Sequence, residues 1–325
     1  MNHIVFFSGG KASFAVAAWV KEQYGHLRGH NILLYFTDVL WEDQDLYRFI
    51  YETSNRLELP MLIHGRGLTP PQLMVKQKFM ANSRVGTCSK ELKMKVASDY
   101  IKKGIKPEIE LWHNKEFLKT NDFISNASLY FGIGVNELHR EEPIKINWAP
   151  YDVVNPLIYH DINIDESLRK YSILPGQLYS KGFHHNNCGG KCIKGGFAHF
   201  KNLYMKDEIS FLELMEQEIV ISDYIRYCKQ PAIKSGKLPD YMYKDVWEFV
   251  SSGKKSAKIQ HIIDTHPYTK NWRFGKNRHG EDIKKPFTFM KTQSLYELKQ
   301  QPMQYDIFDY GGCGCFIEFE NSPAV

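Results

Sequence analysis

With 325 residues, 43% of them hydrophobic and 14% aromatic, the chain has the length for one large domain with an appended lobe, or for two domains. Its net charge of +5 is compatible with anionic ligands but too small to establish nucleic-acid binding, and no apolar run approaches the roughly 20 residues of a membrane-spanning helix. Met1-Asn2-His3 leads into an apolar stretch without a basic start or a cleavage site, so a soluble cytoplasmic protein with no membrane contact is expected.

Residues 4–7 are a β-branched and aromatic run, read as the first strand, and a Ser-Gly-Gly turn follows. Residues 13–24 carry Phe14, Val16, Ala17 and Val20 around most of a helix, the pattern of a helix packed on a sheet. Further strands are predicted at 32–36, 60–64, 109–112 and 129–133, with helices at 43–57, 72–79 and 91–103. This alternation predicts an α/β fold, a doubly wound and mostly parallel sheet covered on both faces. After Pro156 the character changes. Residues 165–171 read as a short helix, 182–196 as a loop rich in Gly, His, Asn and Cys, and 197–218 as mainly helical. The tail from Gly275 is loop-rich apart from a helix at 294–300. The expected division is a sheet domain at 1–160 and a smaller, mainly helical and loop-rich region at 161–325.

The segment Phe6-Phe7-Ser8-Gly9-Gly10-Lys11-Ala12-Ser13 follows the first strand and opens the first helix. Two glycines let the backbone approach an anion without Cβ interference, and the free amides and dipole of a helix start favour a polyanion there. Ser8 and Ser13 add hydroxyl donors, and Lys11 adds a compact positive charge. A Walker A loop would need Gly at position 5 and Ser or Thr at position 12, which are Val5 and Ala12 here. The G-x-G-x-x-G spacing of a dinucleotide fingerprint is missing as well. Taken alone, the segment also fits an ordinary glycine-rich turn between strand and helix. It resembles the pyrophosphate-binding PP-loop, S-G-G-x-D-S, of the adenine nucleotide alpha-hydrolase-like superfamily. Ser8, Gly9, Gly10 and Ser13 match that loop, and Ala12 replaces its usual Asp.

Later segments resemble the phosphoadenosine phosphosulfate reductase-like branch of that superfamily. Thr37 and Asp38 end the second strand, with Glu42, Asp43 and Asp45 behind them. The resemblance makes Asp38 and Glu42 candidates for ribose, metal or adenine contacts, whereas Asp43 and Asp45 equally suit a helix start. Arg84 and the run Cys88-Ser89-Lys90-Glu91-Leu92-Lys93 resemble the family's C-x-x-x-L-K segment, whose basic residues approach the nucleotide phosphates. Cys88 itself reads as a small buried residue rather than a nucleophile. Gly132 and Ile133, followed by Glu137, His139 and Arg140, resemble the family's strand and E-x-x-R turn. The resemblance covers about half the chain, in the family's order.

Cys188 and Cys192, and again Cys313 and Cys315, form two glycine-flanked pairs. Together they could give four thiolates to tetrahedral zinc or to a 4Fe-4S cluster; reduced structural cysteines or a redox-active pair fit the same spacing. Trp272, Arg273, Phe274, Lys276, Arg278 and His279 interleave basic and aromatic groups as strand-stacking surfaces do. The lysine-rich runs at 90–95, 102–106 and 254–258 suit solvated helix faces.

The resemblance implies an enzyme that binds ATP with Mg²⁺, lets an acceptor attack the α-phosphorus and releases pyrophosphate. On it, Lys11, Lys93 and Arg140 are the catalytic candidates. Ser8, Gly9, Gly10, Lys11, Ser13, Thr37, Asp38, Glu42, Arg84 and Gly132 are the nucleotide-binding ones. The acceptor stays unidentified: tRNA or DNA fits the basic clusters, and sulfur transfer would follow in the cysteine-bearing region. A homodimer is compatible with all of this. Two alternatives stay open. One is a thiol-dependent reductase of a sulfonucleotide, against which stand the missing E-C-G-x-H tail and adjacent Cys-Cys pair of such enzymes. The other is a non-catalytic nucleotide sensor, to which Ala12 points.

Overall fold

The computed structural model describes residues 1–265, 279–281, 287–290 and 293–301. Six strands make one sheet: β1 (Asn2–Phe6), β2 (Asn31–Asp38), β3 (Met61–Gly65), β4 (Ile109–His113), β5 (Ala127–Tyr130) and β6 (Asp152–Val154). Between and after them run α1 (Lys11–Tyr24), α2 (Gln44–Leu57), α3 (Pro70–Gln77), α4 (Lys95–Lys103), α5 (Glu141–Trp148), α6 (Pro156–Tyr159) and α7 (Ile164–Lys170). The later helices are α8 (Gln177–Ser180), α9 (Phe197–Lys206), α10 (Glu208–Cys228), α11 (Pro231–Lys234), α12 (Tyr243–Ser252), α13 (Ala257–Thr265) and α14 (Leu295–Lys299). A π-helical turn, Ser89–Met94, leads into α4.

The chain divides into two compact units. The first takes in Met1–Gly67 and Ser89–Gly190; the second takes in Leu68–Cys88 and the described residues from Lys191 onward. The boundary therefore falls near 190 rather than 160, and a short earlier segment changes sides. Residues 161–190 belong to the first unit because α7 packs on α1, with Leu168 and Ile173 buried in the same core. Residues 68–88 belong to the second because α3 packs on α10 and α12.

In the first unit the strand order is β4-β3-β2-β1-β5-β6, with β3–β4 the single antiparallel neighbour pair. The apolar runs of β1 and β2 are buried along their whole length, as strands covered on both faces must be. Alternation sorts their side chains. Val5, Phe7, Leu34 and Phe36 join Phe14 of α1, Phe49 of α2 and Leu168 of α7 on one face. Ile4, Phe6, Leu33 and Tyr35 join Ile101 of α4 and Trp148 of α5 on the other. There Phe6 stacks on Phe131 with ring centroids 4.5 Å apart and meets Trp148 at 4.7 Å. The expected doubly wound α/β fold is what forms. From β1 the chain steps out through β2 and β3 to β4, then returns to pair β5 on the other side of β1. That reversal makes the carboxyl end of β1 a topological switch point, the place where open α/β sheets bind ligands.

Among the described residues the second unit is helical and loop-rich, as expected. The stretch 197–218, expected to be mainly helical, is so as two helices, because the Asp207 side chain accepts from Ser210 N (3.0 Å) and caps a new helix there. The new helix, α10, buries Glu218, whose carboxylate accepts from Phe289 N (2.7 Å) and Leu295 N (2.8 Å). One turn on, Ser222 Oγ accepts from Phe287 N (3.1 Å). No described helix is long and apolar enough to cross a membrane.

Candidate functional site

The first helix begins at Lys11, with Gly10 at its N-cap and no side chain capping it. Its first intrahelical bond runs from Phe14 N to Gly10 O (3.0 Å). Ser8 N and Ser8 Oγ both reach Ser13 Oγ at 3.2 Å, and Ser13 Oγ donates to Gly10 O at 2.9 Å. These bonds curl 8–13 into a closed loop. Among the described residues the amides of Gly9, Gly10, Ala12 and Ser13 have no hydrogen-bond acceptor, while Lys11 N donates to Tyr179 Oη at 3.1 Å. The first amides of any α-helix lack intrahelical partners, and here four open donors gather around one glycine-rich turn, an arrangement suited to an anion.

Two glycines make the loop fit its place. Gly9 has φ +78°, and a Cβ there would sit 3.0 Å from Leu46 of α2. A Cβ on Gly132, just past β5, would lie 2.8 Å from Ser13 N and 2.9 Å from Ser13 Cα. The end of β5 can therefore approach the first turn of α1 only because residue 132 lacks a side chain. Ser8, Gly9, Gly10, Lys11, Ser13 and Gly132 are thus brought together at the switch point.

The acidic candidates are engaged otherwise. Thr37 and Asp38 end β2 and are both buried. Asp38 Oδ1 accepts from Leu40 N (2.7 Å) and Tyr47 Oη (2.9 Å), and Oδ2 accepts from the same phenol at 3.0 Å. Burial first, then the Asp38 carboxylate, raises the Tyr47 pKa and keeps that phenol protonated as a donor. Glu42 takes the Cys188 amide on Oε2 and has Lys93 Nζ at 3.7 Å from Oε1, all of it buried. Removing one member of such a buried pair leaves an uncompensated charge, so Lys93 and Glu42 hold each other. Asp43 caps α2 by accepting from Leu46 N (2.9 Å), and Asp45 pairs with Arg48 at 2.6 Å. These two are helix-start residues.

Other candidates scatter. Arg140 is buried and pairs with Glu137 three residues earlier in a 3-10 turn, Val135–Arg140. Arg84 is exposed and belongs to the second unit, its amide donating to Asn82 Oδ1 at 2.9 Å. Cys88 belongs there too and is half-buried rather than buried. Cys188, with φ +60°, and Cys192 are buried free thiols, and the division between the units falls between them. Cys313, Cys315 and the basic–aromatic stretch from Trp272 to Arg278 lie outside the described residues. Among the described residues no group of three or more His, Cys, Asp or Glu side chains is placed to hold a metal ion. The lysines at 254, 255 and 258 each face a carboxylate, on Glu248, Glu216 and Asp245.

Sequence reasoning did not single out Tyr179 or Asn186. Tyr179, on α8, receives the Lys11 amide and lies under Lys11 Nζ, 5.1 Å from the ring centroid. Asn186 is wholly buried and donates from Nδ2 to Gly9 O at 3.2 Å. The segment 176–190 therefore lies against the cradle at two points. Nothing marks one tyrosine among nineteen as special before the chain is folded. Compared with family models, curated proteins and solved structures, the chain gives no significant match.

Proposed function

We propose that the first unit is an ATP pyrophosphatase of the PP-loop type, adenylating an acceptor with release of pyrophosphate. The observation that carries this reading is the ring of open amides on the 8–13 loop at the sheet's switch point. Those donors, with Lys11, would receive the β- and γ-phosphates of ATP. An acceptor oxygen or equivalent nucleophile then bonds to the α-phosphorus as the bond to the bridging oxygen breaks, and pyrophosphate carries that electron pair away. Donors fixed where negative charge grows lower this barrier without reorganising. Holding the triphosphate in one pose adds the benefit of position. Mg²⁺ bound to the phosphates themselves would neutralise the same charge, since magnesium usually keeps water and phosphate oxygens as ligands. Zinc or a 4Fe-4S cluster on the cysteine pairs, and sulfur transfer to tRNA or DNA, remain attached to this proposal as later steps, and no part of the phosphoryl chemistry is routed through them.

The test is pyrophosphate release from ATP and Mg²⁺, with tRNA, DNA and sulfonucleotides offered in turn as acceptors. Release by the wild type that is lost in Gly10→Asp and Lys11→Ala is expected. Release that persists in both variants would sink the reading. A second reading, a nucleotide sensor without turnover, is favoured by Ala12 and by the internal engagement of Asp38 and Glu42. Tight ATP binding with no release in any acceptor mixture would select it.

A further inference from the structure

The cradle has one amide that is not open. Lys11 N gives its hydrogen to the phenol oxygen of Tyr179, and a Cβ on Gly10 would come within 3.1 Å of that same oxygen. Tyr179 therefore stands at the lip of the loop, among the amides left open. Its oxygen accepts from Lys11 N, while its own O–H has no acceptor among the described residues. The Lys11 ammonium lies over its ring, an arrangement that draws electron density from the phenol and makes its proton a better donor. A second side chain from the same segment carries an unmet group beside the loop. Asn186 is wholly buried, its Nδ2 holds Gly9 O, and its Oδ1 has no hydrogen-bond partner.

We propose that Tyr179 is a direct phosphate-binding residue, donating its phenol hydrogen to the terminal phosphates of the nucleotide held in the 8–13 loop. This rests on the reading of that loop as a polyphosphate cradle and adds a donor from outside it. Ala12 offers no side-chain donor, and Tyr179 supplies one from α8 at the neighbouring residue. Burial raises the phenol's pKa, so the proton is present at neutral pH. The anchors of the segment hold it in place: Asn186 on Gly9 O, and Gln177 N on Asp45 Oδ2 at 2.6 Å. The opposite possibility is as definite. A phenol oxygen that merely occupies the Lys11 amide would compete with phosphate and have to leave.

Titration of the full chain with inorganic pyrophosphate, followed by calorimetry, separates the two. Tyr179→Phe keeps the ring under Lys11 and removes only the hydroxyl. A donor role predicts binding weakened about tenfold to a hundredfold, the range for a hydrogen bond to a charged group, with stability lowered only by the lost acceptor of the Lys11 amide. Equal or tighter binding overturns the proposal and leaves the cradle standing. A wild type that binds no pyrophosphate removes the cradle reading, and this proposal with it. Nitration of the wild type by tetranitromethane, read by peptide mass spectrometry, asks the same question without a variant. Pyrophosphate should shield Tyr179; unchanged or faster nitration there counts against a donor role.

Discussion

Two buried polar centres in this protein are built on opposite terms. In the second unit, the Glu218 carboxylate is matched by the amides of Phe289 and Leu295, and Ser222 takes that of Phe287. In the first unit, the loop after β1 is curled by its own serines and turns four amides toward no acceptor among the described residues. A satisfied centre fixes chain position; a centre of one-sided donors still has hydrogen bonds to give.

The sharpest way to break the contrast is to empty the satisfied centre. Glu218→Leu leaves two buried amides without an acceptor, and denaturant titration should show a loss of about 4 kcal/mol, taking roughly 2 for each. Pyrophosphate affinity should not move under conditions where the variant is folded. A parallel loss of affinity would mean that the two centres are not separate in function. Next in size is Gly132→Ala, which sets a methyl against the backbone of Ser13. Overpacking of this kind costs about 1–3 kcal/mol, and here it should also weaken pyrophosphate binding by more than tenfold. Lost stability with intact binding would show that the cradle tolerates a shifted helix start.

Protons give a third handle. His64 of β3 is wholly buried against Tyr35 (2.9 Å) and Glu110 (3.3 Å), and burial lowers its pKa to about 4 even though the carboxylate pulls the other way. His3 of β1, between Tyr130 and His30, is lowered to about 4 by burial and then by the charge on His30. The unfolded chain binds these protons near pH 6.5, before the folded one does. Stability is thus fully present above about 6.5 and is lost as the pH falls toward 4, at no more than about 1.4 kcal/mol per pH unit for each imidazole. Replacing His64 by Gln should flatten that slope, measured by denaturation at several pH values; an unchanged slope would place the titration elsewhere. The smallest effect is expected from Tyr47→Phe. It removes the phenol donor from Asp38, leaves the Leu40 amide in place, and should cost about 1 kcal/mol.

Much of this was legible before folding, and the rest fails for identifiable reasons. Continuous apolar runs gave away β1 and β2, and the strand–Ser-Gly-Gly–helix order located the loop between β1 and α1. The helix α5 was hidden by Pro143, which reads as a breaker although it sits in the first turn, where no intrahelical amide bond is lost. At three residues, β6 is too short to show a period. The direction of β4 leaves no mark in composition, although its exposed Glu110 and Leu111 fit an edge strand. At the site, the family resemblance made Asp38 and Glu42 candidates for ligand contacts; within the fold they take hydrogen bonds from Tyr47 and from the Cys188 amide. Those partners lie 9 and 146 residues away, and no local pattern reports such pairings.

The way the second unit is assembled from separated stretches has a consequence for synthesis. The helix α3 buries Leu73, Met74 and Val75 among helices that follow more than a hundred residues later. At translation speeds of about 5–20 residues per second, those side chains wait on the order of ten seconds on the ribosome before their partners emerge. During that interval the nascent chain displays an apolar helix between two segments of a sheet that is still gathering its strands. A chaperone that recognises short hydrophobic stretches would find a binding site there.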